Sequence, residues 1–174
     1  NAPASTSTTP AVSGLVIASG AATTTYNVFY NSIYLNAVSS SVTTFSTAGI
    51  YALITPVVDL RNNVVVDNST PGPTGGNSVA YRRSASTLTT YSANSNNNCF
   101  WAGSPSVNHL IYYDVTNSDQ TLAIYKARVI PRDNVSITEN PPFVNGATAP
   151  YDLRILTGTA TGLESGGKVV STPV

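Results

Sequence analysis

Eight carboxylates are the groups in this chain best suited to act as general acids, bases or metal ligands: Asp59, Asp67, Asp114, Asp119, Asp133, Glu139, Asp152 and Glu164. Glycoside hydrolysis needs two carboxyls about 5 to 9.5 Å apart, and a calcium site needs several oxygens converging on one point. Here the acids are scattered. Asp59 and Asp67 lie on either side of Asn63, too far apart along an extended chain to pair directly, and the sequence reads them as solvated surface groups. His109 is the only histidine and has no second imidazole with which to hold a transition metal, so it is expected at a surface or a corner. Cys99 is the only cysteine, which excludes an intrachain disulfide and reads as a small buried residue. A serine nucleophile would have to rely on His109 without a Gly-x-Ser-x-Gly turn. The expectation is a chain with no catalytic residue, cofactor-binding residue or metal ligand, and with no enzymatic activity.

Recognition chemistry is represented better. Arg82 and Arg83 are the densest positive charge, and an outward arginine can take a sugar carboxylate in two hydrogen bonds. The plainer role for such a residue is to cap stacked carbonyls or pair with a nearby aspartate. Tyr112 and Tyr113 are adjacent, so a regular strand must send one of them outward, where a flat ring can stack on a sugar. Arg82, Arg83, Tyr112 and Tyr113 are therefore the candidate contacts for surface glycans.

Composition limits the partners. Eight basic residues balance eight acidic ones, and charged residues make up 9% of the chain. Nothing in that balance neutralises a phosphate backbone or holds an anionic membrane, so neither nucleic acid nor direct membrane insertion is expected. Serine and threonine number 44 and asparagine 17, alongside ten tyrosines and many Val and Ile residues, which suits a folded extracellular or cell-surface protein with a neutral, hydroxyl-rich exterior.

The elements that must position these groups are strands. Short apolar runs, such as Gly14 to Ala18, Tyr26 to Leu35, Gly49 to Ile54, Val57 to Val66 and His109 to Tyr113, are separated by Ser, Thr, Asn, Gly and Pro clusters. One helix is expected over Ser118 to Val129, with Ser118 or Asp119 as its N-cap, Leu122 and Tyr125 on one face and Pro131 beyond its end.

The runs repeat. YNVFYNSIYLN (26–36) aligns with VDLRNNVVVDN (58–68) at an offset of 32 residues, and Asn98 before Cys99-Phe100-Trp101 parallels Asn63 before Val64-Val65-Val66 at 35. A second series places Gly14, Gly49, Ser78 and His109 at spacings of 35, 29 and 31. A strand unit recurring at this length cannot bury its apolar face alone and must stack on its neighbours. The expected fold is all-β: a right-handed parallel β-helix, or β-solenoid, of about 30–35 residues per coil with one short helical insertion. Asn31, Asn63 and Asn98 fall at equivalent corners, where asparagine tolerates a left-handed backbone and can stack as a ladder. Val28 and Leu60 would point inward with Tyr26 and Val58, while Val64-Val65-Val66 is too uniform to assign faces. An antiparallel sandwich is the rival, but it favours tight Asn-Gly or Asp-Gly hairpins, and Asn145-Gly146 is the only such dipeptide.

Asn140-Pro141-Pro142-Phe143-Val144-Asn145, then Tyr151-Asp152-Leu153-Arg154-Ile155, then Glu164-Ser165-Gly166-Gly167 resembles the closing pattern of many right-handed parallel β-helix proteins. The segments 58–71, 80–103, 110–129 and 136–143 further resemble modules of very large secreted surface proteins of Bacteroidota, commonly exported by the type IX route. The resemblance implies an adhesin-like, structural module. The competing readings are a glycan-binding module and a polysaccharide-degrading enzyme built on a β-helix. Residues 1–13 read as an irregular lead-in and 14–174 as one β-helix domain. Because the lead-in has no amphipathic helix, the Gly- and Thr-rich stretch 157–174 offers only weak cover at the other end, and the helix reads as an insertion on the side of the stack, the coils are expected to associate end to end, with neighbouring modules of the same chain or as copies in a filament.

Overall fold

A computed structural model describes residues 9–40 and 43–170, so most of the expected lead-in lies outside the described residues; its last part already forms a strand. The first coil consists of β1 (Val12–Ile17), β2 (Thr25–Phe29) and β3 (Ser32–Leu35), and the second of β4 (Thr47–Ala52), β5 (Val57–Arg61) and β6 (Val64–Asp67). The third contains β7 (Ser78–Arg83) and β8 (Cys99–Trp101), with residues 91–96 filling the middle place through single bridges from Tyr91 to Val58 and from Asn96 to Arg61. β9 (His109–Tyr113) begins the closing turn. Every coil-to-coil strand pairing is parallel: β1, β4, β7 and β9 form one sheet, β2 and β5 a second, and β3, β6 and β8 a third. This is a β-solenoid of about three turns, and the sandwich is excluded.

The register follows the repeats closely. Tyr26 pairs with Val58, Val28 with Leu60, and Val64 with Cys99. One alignment needs correction. Ser78 pairs with Thr47 and not with Gly49, an offset of 31 residues where the sequence suggested 29. A strand pattern has period two, so a slip of two residues keeps every side chain on its own face and leaves the pattern unchanged.

Packing explains the residue choices. Val65 lies in the core with Ile33 beside it and Phe100 below it, whereas Val64 and Val66 face the other way. That outer face is also apolar because it is covered: an antiparallel pair, β11 (Phe143–Asn145) and β12 (Asp152–Ile155), lies over it, with Phe143 edge-on to Tyr34 at 5.9 Å. A strand buried on both sides reads as a continuous apolar run, which is why Val64-Val65-Val66 resisted assignment. Glycine recurs where sheets approach closely. A Cβ on Gly14 would sit 2.3 Å from Ile33 Cγ2, and one on Gly49 would sit 2.3 Å from Val65 Cγ1, so no larger residue fits either position without displacing the third sheet. Tyr26, expected inward, is 42% exposed because no coil lies above it among the described residues, while Val58 beneath it is 1% exposed.

The helix forms within the expected segment, but it starts later and takes a different place in the fold. Ser118 and Asp119 make a short strand, β10, antiparallel to β9, and Thr121 is the N-cap of α1 (Leu122–Val129), accepting a bond from the Ile124 amide. Tyr125 and Val129 are fully buried, with the Tyr125 ring 5.1 Å from Tyr112 and 5.8 Å from Phe100. α1 thus plugs the C-terminal end of the stack, directly beneath the last parallel strands, and is not an insertion on its side. An eight-residue amphipathic pattern announces a helix but not the surface it covers.

Candidate functional site

The corner between the second and third strands of each coil is the most regular polar feature. A two-residue turn bends the chain from the second sheet into the third, and its first residue takes the left-handed conformation: Tyr30, Asn62 and Asn97 have φ of 57°, 56° and 59°. The sequence reading gave that role to Asn31, Asn63 and Asn98. These are instead the second residues of the turns, and their side chains run along the stack as a ladder. Asn63 Oδ1 accepts from the Asn31 amide at 3.1 Å and from Asn31 Nδ2 at 3.0 Å; Asn98 Oδ1 accepts from the Asn63 amide at 3.0 Å and from Asn63 Nδ2 at 2.9 Å. Asn63 Nδ2 also donates to Val28 O, and Asn98 Nδ2 to Leu60 O. The doubled asparagines Asn62-Asn63 and Asn97-Asn98 are the sequence signal: one residue to turn, one to bond.

The ladder ends differently at its two ends. Below, Asn98 Nδ2 donates to Asp133 Oδ1 at 2.9 Å and the Asn98 amide to Ser136 Oγ at 2.9 Å. Above, Asn31 is exposed, and no donor reaches its Oδ1 among the described residues.

Five of the eight acids are not solvated as expected, whereas Glu164 is exposed. Asp59, Asp67, Asp114, Asp119 and Asp133 are each at most 3% exposed. Asp59 forms a two-pronged pair with Arg61, at 3.0 and 2.6 Å, and Asp119 one with Arg128, at 2.6 and 2.7 Å. Asp67 lies between sheets, accepting from Thr47 Oγ1 at 2.6 Å and from the Ser69 and Val79 amides; burial pushes its carboxyl above the ordinary range. Asp114 closes a turn by accepting from the Thr116 and Asn117 amides, both at 2.7 Å, and from Tyr112; burial pushes its carboxyl up, but these bonds outweigh burial and hold it low. Asp133 accepts from Tyr91, from Tyr125 at 2.5 Å, from Ser136 Oγ at 2.6 Å and from Asn98. Register keeps them apart, with Asn27 opposite Asp59 and Leu35 opposite Asp67, so no pair of carboxyls is stacked along the coils. Among the described residues, no cluster of three or more His, Cys, Asp or Glu side chains is arranged to hold a metal ion.

The four candidate glycan contacts separate. Arg83 is 1% exposed and Tyr112 0%, so neither meets solvent. Arg83 turns inward to Thr87 O and Thr90 Oγ1, with its guanidinium 5.8 Å from the Tyr91 ring centre, and Tyr112 stacks on Tyr125. Arg82 is flanked on its sheet by Tyr51 and Tyr113, whose ring centres lie 5.7 and 4.4 Å from its guanidinium; burial pulls its pKa below the ordinary guanidinium value. Only Tyr113 of the four is partly open. His109, half-buried, bonds to Ala102 O through Nδ1 at 2.8 Å, and burial pushes the Cys99 thiol up to about 12. Both residues serve the fold.

The strongest asymmetry is between the ends of the stack. β7 is buried along its whole length and β5 over three of its five residues, whereas β1, β2 and β3 are mostly half-buried or exposed, with Val16 52% and Val38 50% exposed nearby. Their upper edges pair with nothing among the described residues. A shallow apolar groove of about 230 Å³, lined by Tyr34, Leu35, Asn36, Ala37, Tyr151 and Leu153, runs beside the β3 edge. The fold and this end together define a β-solenoid that, among the described residues, has one capped end and one open end. Comparison with protein-family models, curated proteins and solved structures returns no match to the chain.

Proposed function

We propose that this chain is a structural, non-enzymatic β-solenoid module of an extracellular or cell-surface protein, and that the face of its first coil stacks on a further solenoid coil. The asymmetry of the two ends carries this reading. A solenoid coil normally satisfies its strand edges and apolar face against two neighbours, and a terminal coil lacking a cap leaves both unsatisfied. The open face offers what another coil would use: three parallel strand edges, the apolar groove beside β3 and the free Asn31 acceptor. The resemblance of 58–71, 80–103, 110–129 and 136–143 to modules of large secreted Bacteroidota surface proteins supports an adhesin-like setting and type IX export. The scattered, individually partnered acids favour a scaffold over a polysaccharide-degrading site.

Head-to-tail growth into a filament needs two open ends, and α1 covers one. For the isolated chain a second copy supplies the further coil, and two like faces meeting about a two-fold axis form a closed pair. Light scattering at rising concentration is expected to show reversible association that stops at two copies, abolished by Val16→Lys combined with Val38→Lys. A chain that stays monomeric throughout, or that grows into filaments, overturns the stacking reading. A glycan array and a reducing-end release assay are expected to be silent; sugar release lost on changing Asp59 or Arg82 would replace the scaffold with an enzyme.

A further inference from the structure

The left-handed corner residues also hold something on the outside. After β12 the chain leaves the outer face of the third sheet, is gripped by Glu139, which accepts from Thr161 Oγ1 and from the Gly162 amide at 2.8 Å, and then runs across the corners from the third coil to the first. Asn97 Nδ2 donates to Gly166 O at 2.9 Å. Asn62 makes two hydrogen bonds with the next alternate residue, Nδ2 donating to Lys168 O and Oδ1 accepting from the Lys168 amide, both at 2.8 Å. Tyr30 Oη donates to Lys168 O at 3.1 Å and accepts from the Val170 amide at 3.3 Å. Residues 166, 168 and 170 meet the stack through their backbone, whereas the Val169 side chain is 86% exposed.

We infer that residues 161–170 are an axial strap: a backbone-held segment that ties the corners of all three coils to the C-terminal end. In a simple solenoid each coil touches only its neighbours, so the end coil frays on its own. The strap removes that independence. It runs from Glu139, below the third coil, to Tyr30 in the first, so opening the first coil also requires detaching the strap. Over residues 166–170 recognition is by the strap's backbone, spaced at alternate residues as in an extended strand, so there it depends on the strap's peptide N–H and C=O groups and not on its side chains.

Residue-resolved hydrogen exchange on the full chain, at a concentration where it is monomeric, tests this with Lys168→Pro, which deletes the N–H bonded to Asn62 and leaves every residue of the stack unchanged. Amides of β2 and β3 are expected to exchange about five-fold faster or more, while those of β8 and β9 stay as they were. Val169→Ala, which alters only the exposed side chain, is expected to change nothing. The inference is overturned if the Lys168 amide is unprotected in the unaltered chain, if Lys168→Pro leaves β2 and β3 unchanged, if β8 and β9 accelerate equally, or if Val169→Ala has the same effect as Lys168→Pro.

Discussion

Replacing Asp133 by alanine is expected to cost about 3–5 kcal/mol of folding stability, because it strands several buried donors at once. Asp133 is fully buried at the foot of the ladder, accepting from Tyr91, Tyr125, Asn98 and Ser136, and the two tyrosine hydroxyls lie 3.0 Å from each other. Two guanidiniums lie near the Tyr91 ring, Arg83 at 5.8 Å and Arg132 at 5.6 Å, but none pairs with the carboxylate. Asparagine should be tolerated, because its carbonyl keeps the bonds from Asn98 and Ser136 while its amide donates to tyrosine hydroxyls able to turn and accept.

The same pair of variants separates charge from shape. Burial pushes the Asp133 carboxyl above its ordinary value despite the bonds that lower it. A carboxyl raised in the folded state contributes stability that is fully present below its unfolded pKa of about 3.9 and is lost as pH rises through the folded value. Burial raises Asp67 in the same sense. Asp133→Asn removes this loss, so urea unfolding across the acid-to-neutral range should show its stability gaining on the parent as pH rises. A difference between the two proteins that does not change with pH would show that Asp133 does not titrate across this range.

Along the ladder the expected effects are graded. Asn63→Ala should cost about 2–4 kcal/mol, since Val28 O loses a donor, Asn98 Oδ1 loses one of its two, and the Asn31 amide and side chain lose their acceptor in a site 1% exposed. Asn31→Ala should cost only about 0.5–1 kcal/mol, because Asn31 is exposed and water replaces what it gives up. Thermal or urea unfolding of both variants checks the order. Equal costs would mean that the rungs act independently of depth and that the first coil is not an open end.

Much of this arrangement was legible in the sequence because solenoid repetition writes the same pattern more than once: the offset between 26–36 and 58–68 fixed the β2–β5 register residue by residue. What was hidden depends on contacts without a local pattern. Tyr91 and Asp133 meet across 42 residues, and nothing near either announces the other. Arg82-Arg83 shows that one side chain faces in and one out, but not which; the pairing of Tyr81 with Tyr112 settles the second candidate pair, because one core tyrosine places the other. Low overall charge suggested that each remaining acid would be solvated, whereas Asp59 and Asp119 are held by arginines and Asp67, Asp114 and Asp133 close turns or bridge sheets.

Among the described residues the stack is capped by α1 at one end and open at the other. Hydrogen exchange measured at low and high protein concentration distinguishes the two ends. Amides along the free edges of β1, β2 and β3 are expected to gain protection as concentration rises, while those of β9, β10 and α1 are unaffected. Protection gained at α1, or no change at β1 to β3 under conditions where the chain associates, would contradict it.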